Sequence, residues 1–175
     1  MAGVLLHICC GICSSASIQK LNDDGYAVKG YFYNPNIQPE EEYKRRLEAA
    51  QAVAEMLGID LLVGEYDNDA WTKKVRGFEN EPEGGKRCGV CFKMRLEETY
   101  KKAKESGIEY FTSTLSISPH KNTVFIDGIG KSIAPQSFLA YDFKKKNGFK
   151  KAMGFSKYHS LYRQNYCGCM FSIRK

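Results

Sequence analysis

The sequence predicts an α/β fold, a mostly parallel sheet flanked by helices, on two observations. Short apolar runs alternate with segments of helical period in the order βαβαβαβ, and glycine or an Asn-Pro-Asn turn closes most of these segments.

Val4 to Ile8 is a short apolar strand. Ile12 to Asp23 carries helical spacing at Ile12, Ala16 and Leu21 and ends near Gly25. Ala27 to Tyr33 reads as a second strand, closed by Asn34-Pro35-Asn36. Glu40 to Leu57 is the clearest helix: Tyr43, Leu47, Ala50, Val53, Ala54 and Leu57 share a stripe, Glu41 and Arg45 are spaced as an i,i+4 pair, and Gly58 is the stop. Ile59 to Val63 is a third strand, Asn68 to Val75 is helical, and Gly77 to Lys86, rich in Gly and Glu, is a mobile loop. Cys88 to Ser106 forms a second long helix stopped by Gly107, and Glu109 to Leu115 a fourth strand. A chain of 175 residues is long enough for one compact domain, expected to span residues 1–175.

The seven cysteines fall in three tight clusters, Cys9-Cys10-x-x-Cys13, Cys88-x-x-Cys91 and Cys167-x-Cys169. Packing cysteines scatter, whereas thiols that serve one inorganic centre arrive as short-spaced groups from loops that converge. Residues 1–8 have no charged leader and only a brief apolar run, so neither a signal peptide nor a membrane span is expected, and the reading is cytoplasmic. In that reducing setting an odd number of cysteines points to a metal or redox site rather than a disulfide framework.

In open α/β sheets ligands bind outside the carboxyl ends of the strands. Cys9, Cys10 and Cys13 follow the first strand directly, and Cys88 and Cys91 start a helix, where free N–H groups favour the thiolate. Both groups are therefore expected on one edge. Three or four thiolates from two motifs suit an iron–sulfur cluster best, with zinc and thiol-only redox chemistry as open alternatives. Cys167-Gly168-Cys169 spans at most about 7 Å when extended. A disulfide there closes only in a bent turn that Gly168 permits, and such a strained ring is readily reduced; metal ligation is its other reading.

The net charge of +6 is localised. From Tyr141 to Arg163, Lys144, Lys145, Lys146, Lys150, Lys151, Lys157 and Arg163 face a single acid, Asp142, among several Phe and Tyr residues. A solvated helical face is the plain reading of such a run. Beside a reactive thiol pair it points instead to a polyanionic substrate, nucleic acid first. No G-x-G-x-x-G follows a strand and no phosphate loop is present, so nucleotide cofactors have no support. Gly128-Ile129-Gly130 reads as a turn, and His7 as a core histidine, with support of a metal ligand as its other role.

Together, His7-Ile8-Cys9-Cys10-Gly11-Ile12-Cys13-Ser14, Arg87-Cys88-Gly89-Val90-Cys91-Phe92-x-x-Arg95-Leu96, Ser116-Ile117-Ser118-Pro119-His120-Lys121-Asn122, Asp142-Phe143-Lys144-Lys145 and Leu161-Tyr162-Arg163-Gln164-x-Tyr166-Cys167-Gly168-Cys169 resemble the epoxyqueuosine reductases of the QueH type. The resemblance covers nearly the whole chain. It implies a HUP-like, adenine-nucleotide α-hydrolase-like three-layer fold and the last step of queuosine synthesis in tRNA, a two-electron removal of an epoxide oxygen. It further implies a [4Fe–4S] cluster on Cys9, Cys10, Cys88 and Cys91, and a redox-active pair in Cys167 and Cys169. Cys13 is left over, as a ligand to a second metal such as a mononuclear iron or as a spare thiol. The implied partners are tRNA carrying epoxyqueuosine and an electron donor that the residues do not identify. In this picture the segment from about residue 141 to 175 binds tRNA and serves the redox step, with Lys144, Lys145, Lys150 and Lys151 on phosphates. Two rivals are a zinc-dependent RNA-binding module without catalysis and a tRNA sulfur-transfer enzyme of related fold.

Overall fold

A computed structural model describes residues 1–173. Arg174 and Lys175, the end of the expected basic segment, lie outside the described residues. Four parallel strands, β1 (Gly3–His7), β2 (Ala27–Phe32), β3 (Leu61–Val63) and β4 (Tyr110–Ser113), form one sheet in the order β3-β2-β1-β4. Among the described residues six α-helices cover it: α1 (Gly11–Asp23), α2 (Glu40–Met56), α3 (Asn68–Lys74), α4 (Lys86–Glu105), α5 (Thr123–Ile133) and α6 (Gly148–Tyr158). The parallel sheet with helices on both faces is the predicted class.

The period of two along β1 divides the core. Val4, Leu6 and Ile8 point to the layer of α1, α2 and α6, where they meet Ile18, Leu21, Val53 and Ala152. Leu5 points to the layer of α4 and α5, among Phe92, Leu96, Phe111 and Ile126. Both faces of the central strand are therefore dry, which explains its unbroken apolar run. β1 pairs with β2 on one side and β4 on the other, with His7 opposite Tyr31 and Ser113. The chain leaves β1 towards opposite neighbours on its two sides, so the β1–β4 gap is the topological switch point where ligands enter such sheets.

Three local expectations change. The fourth strand stops at Ser113 and continues as a 3₁₀ turn, Thr114–Ile117, because Ser113 Oγ accepts the Leu115 N–H and caps it. Gly128 and Gly130 lie inside α5 rather than in a turn. A Cβ at Gly130 would meet the Phe138 ring at 2.5 Å, so glycine there lets the helix sit close against that ring. On α2 the i,i+4 ion pairs are Glu40–Lys44 and Glu42–Arg46 rather than Glu41–Arg45, and the second is buried, with Arg46 Nε at 2.8 Å from Glu42 Oε1.

Candidate active site

The carboxyl ends of β1 and β4 hold the thiols. Cys9 donates its N–H to Thr114 Oγ1 at 3.2 Å, and the same hydroxyl donates to Cys9 Sγ at 3.1 Å, which ties the first cysteine loop to the end of β4. Cys10 is the N-cap of α1, its sulfur accepting the Cys13 N–H at 3.4 Å, and this cap turns Cys13 back towards Cys9. The sulfurs of Cys9, Cys10 and Cys13 all lie within 4.8 Å of one another, a spacing that can hold a metal. Cys13, the thiol left over in the sequence, is thus part of the tight group, whereas Cys88 and Cys91 do not join it at that distance.

Cys88 and Cys91 stand on the first turns of α4, and the Gly84 N–H reaches Cys88 Sγ at 3.2 Å. Cys91 packs with Cys169, Trp71 and Val75 in a small apolar cluster. Cys167 lines a cavity of about 280 Å³ together with Cys9 and Cys13. A smaller recess of about 80 Å³ opens beside Cys88 and shares Cys167 and Lys121 with the larger one. All three clusters therefore meet at the switch point, and all seven cysteines are free thiols.

The site is electropositive. Arg95, one helical turn after Cys91, is buried and directs Nη1 to Cys91 Sγ at 3.8 Å and Nη2 to Asn34 Oδ1 at 2.8 Å; Asn34 in turn donates to the Ile8 carbonyl. Hydrogen bonds from Cys10 and Cys13, with the charges of Lys121 and Arg95, hold Cys9 well below the ordinary thiol range. Burial pushes Cys10 up to about 12 and Cys91 up to about 11, while Cys13 is raised chiefly by its hydrogen bond to Cys10. For Lys121 burial opposes the ammonium, but the charges of Cys167, Cys9 and Cys13 outweigh it and its pKa rises. His7 is fully buried, donates from Nε2 to the Tyr33 carbonyl and accepts from Ser113 at Nδ1, so it is a satisfied core histidine; burial and Arg95 lower its pKa to about 4.

The C-terminal pair is clamped from α2. Arg46 donates to the carbonyls of Cys167 at 2.7 Å and Tyr166 at 2.9 Å, Tyr162 donates to Glu42, and Gly168 returns a carbonyl to the Gln38 N–H at 2.9 Å. Gly168 has φ +147°, and a Cβ on it would lie 2.9 Å from Asn36, so both backbone and space require glycine.

The four lysines separate. Lys144 uses all three N–H donors inside the fold, on the carbonyls of Ser116 and Lys121 and on Thr123 Oγ1. Lys145, Lys150 and Lys151 are exposed around the start of α6, whose Phe149 and Met153 line the cavity. Arg46, Arg95 and Lys121 received no role in the sequence reading. The Cys91–Arg95 spacing was a usable signal, since i,i+4 puts the guanidinium over the sulfur.

Comparison with known proteins decides the family. The family model described as epoxyqueuosine reductase QueH matches residues 4–175. The chain belongs to that family. Relatives described as epoxyqueuosine reductase QueH include one from Thermotoga maritima, 37% identical over 179 residues with 99% of this chain and 91% of that protein covered. Another, from Streptococcus pyogenes, is 37% identical over 180 residues, covering 98% of this chain and 70% of that protein. Among solved structures, a predicted tRNA methyltransferase subunit from Methanocaldococcus jannaschii superposes with TM-score 0.60 at 19% identity, over 87% of this chain and 75% of that one. The U34-tRNA thiolase NcsA from Methanococcus maripaludis, with its [4Fe-4S] cluster, gives 0.58 at 13% identity, over 99% and 62%. These likenesses concern the fold alone, a parallel α/β sheet flanked by helices. The family is one of oxidoreductases, so the zinc-module and sulfur-transfer readings are not favoured. Among the described residues no helix is long and apolar enough to cross a membrane.

Proposed function

We propose that this chain reduces epoxyqueuosine to queuosine at the wobble position of tRNA, with a [4Fe–4S] cluster held by Cys9, Cys10, Cys88 and Cys91 and with Cys167 and Cys169 as a redox pair. The observation that carries the reading is that Cys9, Cys13 and Cys167 line one basic cavity at the β1–β4 switch point, with Cys88 in the recess beside it that shares Cys167. The donor set fits such a cluster: two thiols come from a strand end, two from a helix start, and the buried Arg95 keeps its Nε without a partner among the described residues. An orphaned buried cation donor beside sulfur suits an anionic centre better than neutral thiols.

The reaction takes two electrons and two protons, turns the epoxide into a carbon–carbon double bond and releases its oxygen as water. When bound, the cluster supplies electrons one at a time. The chain's own residues do the rest. The pair of thiols at Cys167 and Cys169 stores two electrons as dithiol and releases them, with two protons, as a disulfide. Lys121 holds a proton at Nζ on the cavity wall that it shares with Cys9 and Cys13. Cys13 is the thiol available to a second metal, a mononuclear iron, since its sulfur lies with those of Cys9 and Cys10. Phe149 and Arg163 line the same cavity and suit a splayed base and its phosphate, while Lys145, Lys150 and Lys151 extend the basic surface along α6. Residues 1–175 act in this reading as one catalytic domain, and the electron donor is an external one-electron or two-electron carrier.

The test is anaerobic reconstitution with iron and sulfide, followed by incubation with tRNA carrying epoxyqueuosine and a chemical reductant. Nucleoside mass analysis is expected to show loss of one oxygen atom. Iron-loaded protein that leaves the nucleoside unchanged would refute the assignment.

A further inference from the structure

We infer that Trp71 is a positioning residue for the metal-bound sulfur of Cys91, its indole N–H being the hydrogen-bond donor reserved for that sulfur. The inference rests on the reading of Cys91 as a cluster ligand and goes beyond it.

Trp71 is the only tryptophan of the chain and sits on α3, a helix of two turns. Three contacts fix that helix. Asp67 caps it by accepting the Ala70 N–H at 2.9 Å, Asn68 donates to the Pro35 carbonyl at 2.7 Å, and Gln38 donates to Asn68 Oδ1 at 2.9 Å. The indole is then driven against the start of α4, 1% exposed, in a cluster with Cys91, Cys169 and Val75. Among the described residues its Nε1 has no well-formed hydrogen bond. Buried tryptophans normally place their N–H on an acceptor, and an orphan of this kind calls for an explanation.

The missing acceptor is supplied by chemistry. A thiol sulfur accepts weakly, whereas a thiolate is a strong acceptor. Cys91 Sγ is approached by Arg95 Nη1 at 3.8 Å, and Arg95 Nε is a second buried donor without a partner. Trp71, packed in the same cluster as Cys91, adds a further buried N–H without a partner among the described residues, a surplus of donors that is unfavourable around neutral thiols and matched to a metal-bound thiolate. Donors to ligand sulfur draw charge from the metal and raise its reduction potential, so Trp71 sets how readily the centre accepts an electron.

Two proteins test this. Trp71→Phe keeps a ring and removes the donor. Global replacement of tryptophan by benzothienylalanine keeps the indole shape and alters no other position, because the chain has one tryptophan. Each is reconstituted with iron and sulfide, and its iron content, midpoint potential and Raman iron–sulfur bands in H₂O and D₂O are compared with wild type. The expected result is full iron, a lowered potential and a smaller deuterium shift of the bands. An unchanged potential and deuterium shift in the benzothienylalanine protein would overturn the inference and make Trp71 a filler of space. Cys91→Ser, measured alongside, separates the two levels: if it retains the full cluster, the ligand reading itself has failed; if it loses iron while the benzothienylalanine protein matches wild type, only the role of Trp71 has failed.

Discussion

The two halves of the site are built by different means. Cys9, Cys10 and Cys13 are held by backbone, since a central strand ends, a helix begins, and the cap of that helix is one of the thiols. Cys167 and Cys169 are held by side chains of a distant helix, with Arg46 and Glu42 gripping a segment that is otherwise irregular. The difference teaches that the first thiol group is part of the fold, whereas the C-terminal pair, proposed as the redox half, is attached to it. The two should therefore be separable by mutation.

The largest expected effect is on the proposed cluster ligands, two from the first thiol group and two from the start of α4. Single Ser replacements of Cys9, Cys10, Cys88 or Cys91 are expected to lose iron, visible absorbance and activity together, measured by iron analysis and nucleoside assay. Full iron in three of the four would break the assignment. Cys167→Ser and Cys169→Ser are expected instead to keep iron and tRNA binding and to stop after at most one turnover. Loss of iron in step with activity would place the pair with the ligands and erase the distinction between the halves.

Next comes the clamp. Arg46→Gln leaves Glu42 buried without its cation, a change expected to cost about 3 kcal/mol in stability, read by denaturant unfolding of the metal-free protein. In the portion that stays folded, iron loading is expected to survive while turnover falls.

The smallest effects divide the lysines. Each of Lys145→Ala, Lys150→Ala and Lys151→Ala is expected to reduce the salt dependence of tRNA binding by about one unit of slope. Lys144→Ala is expected to lower stability by about 1–3 kcal/mol and to leave the slope nearly unchanged, because its ammonium is held by Ser116, Lys121 and Thr123. Equal slopes for all four would show that the exposed lysines are only a solvated face.

What could be read in advance follows the same division. β1 was legible because a strand buried on both faces is a continuous apolar run, and β2 to β4 because short β-prone runs stand between turn signals. α5 and α6 were not. Gly128, Gly130, Gly148 and Gly154 lower helix propensity there, and α6 starts after two left-handed residues, Lys146 and Asn147. The thiol clusters were legible as spacing alone, but the membership of Cys13 depends on its cap to Cys10, which no spacing reveals. In Lys144-Lys145-Lys146 the residues look equivalent until the carbonyls that capture the first are in place. Likewise the run Glu40 to Arg46 offers several i,i+4 pairs, and only the position of Tyr162 and Tyr166 selects Glu42 and Arg46 as the buried one.

The most direct test of the central claim is a paired measurement on protein purified without oxygen. Iron content and conversion of tRNA-borne epoxyqueuosine are followed in wild type, Cys88→Ser and Cys167→Ser. The account predicts iron and multiple turnovers in the first, neither in the second, and iron without multiple turnovers in the third. A protein that converts its substrate equally well in all three, or that contains only zinc and converts none, would contradict it.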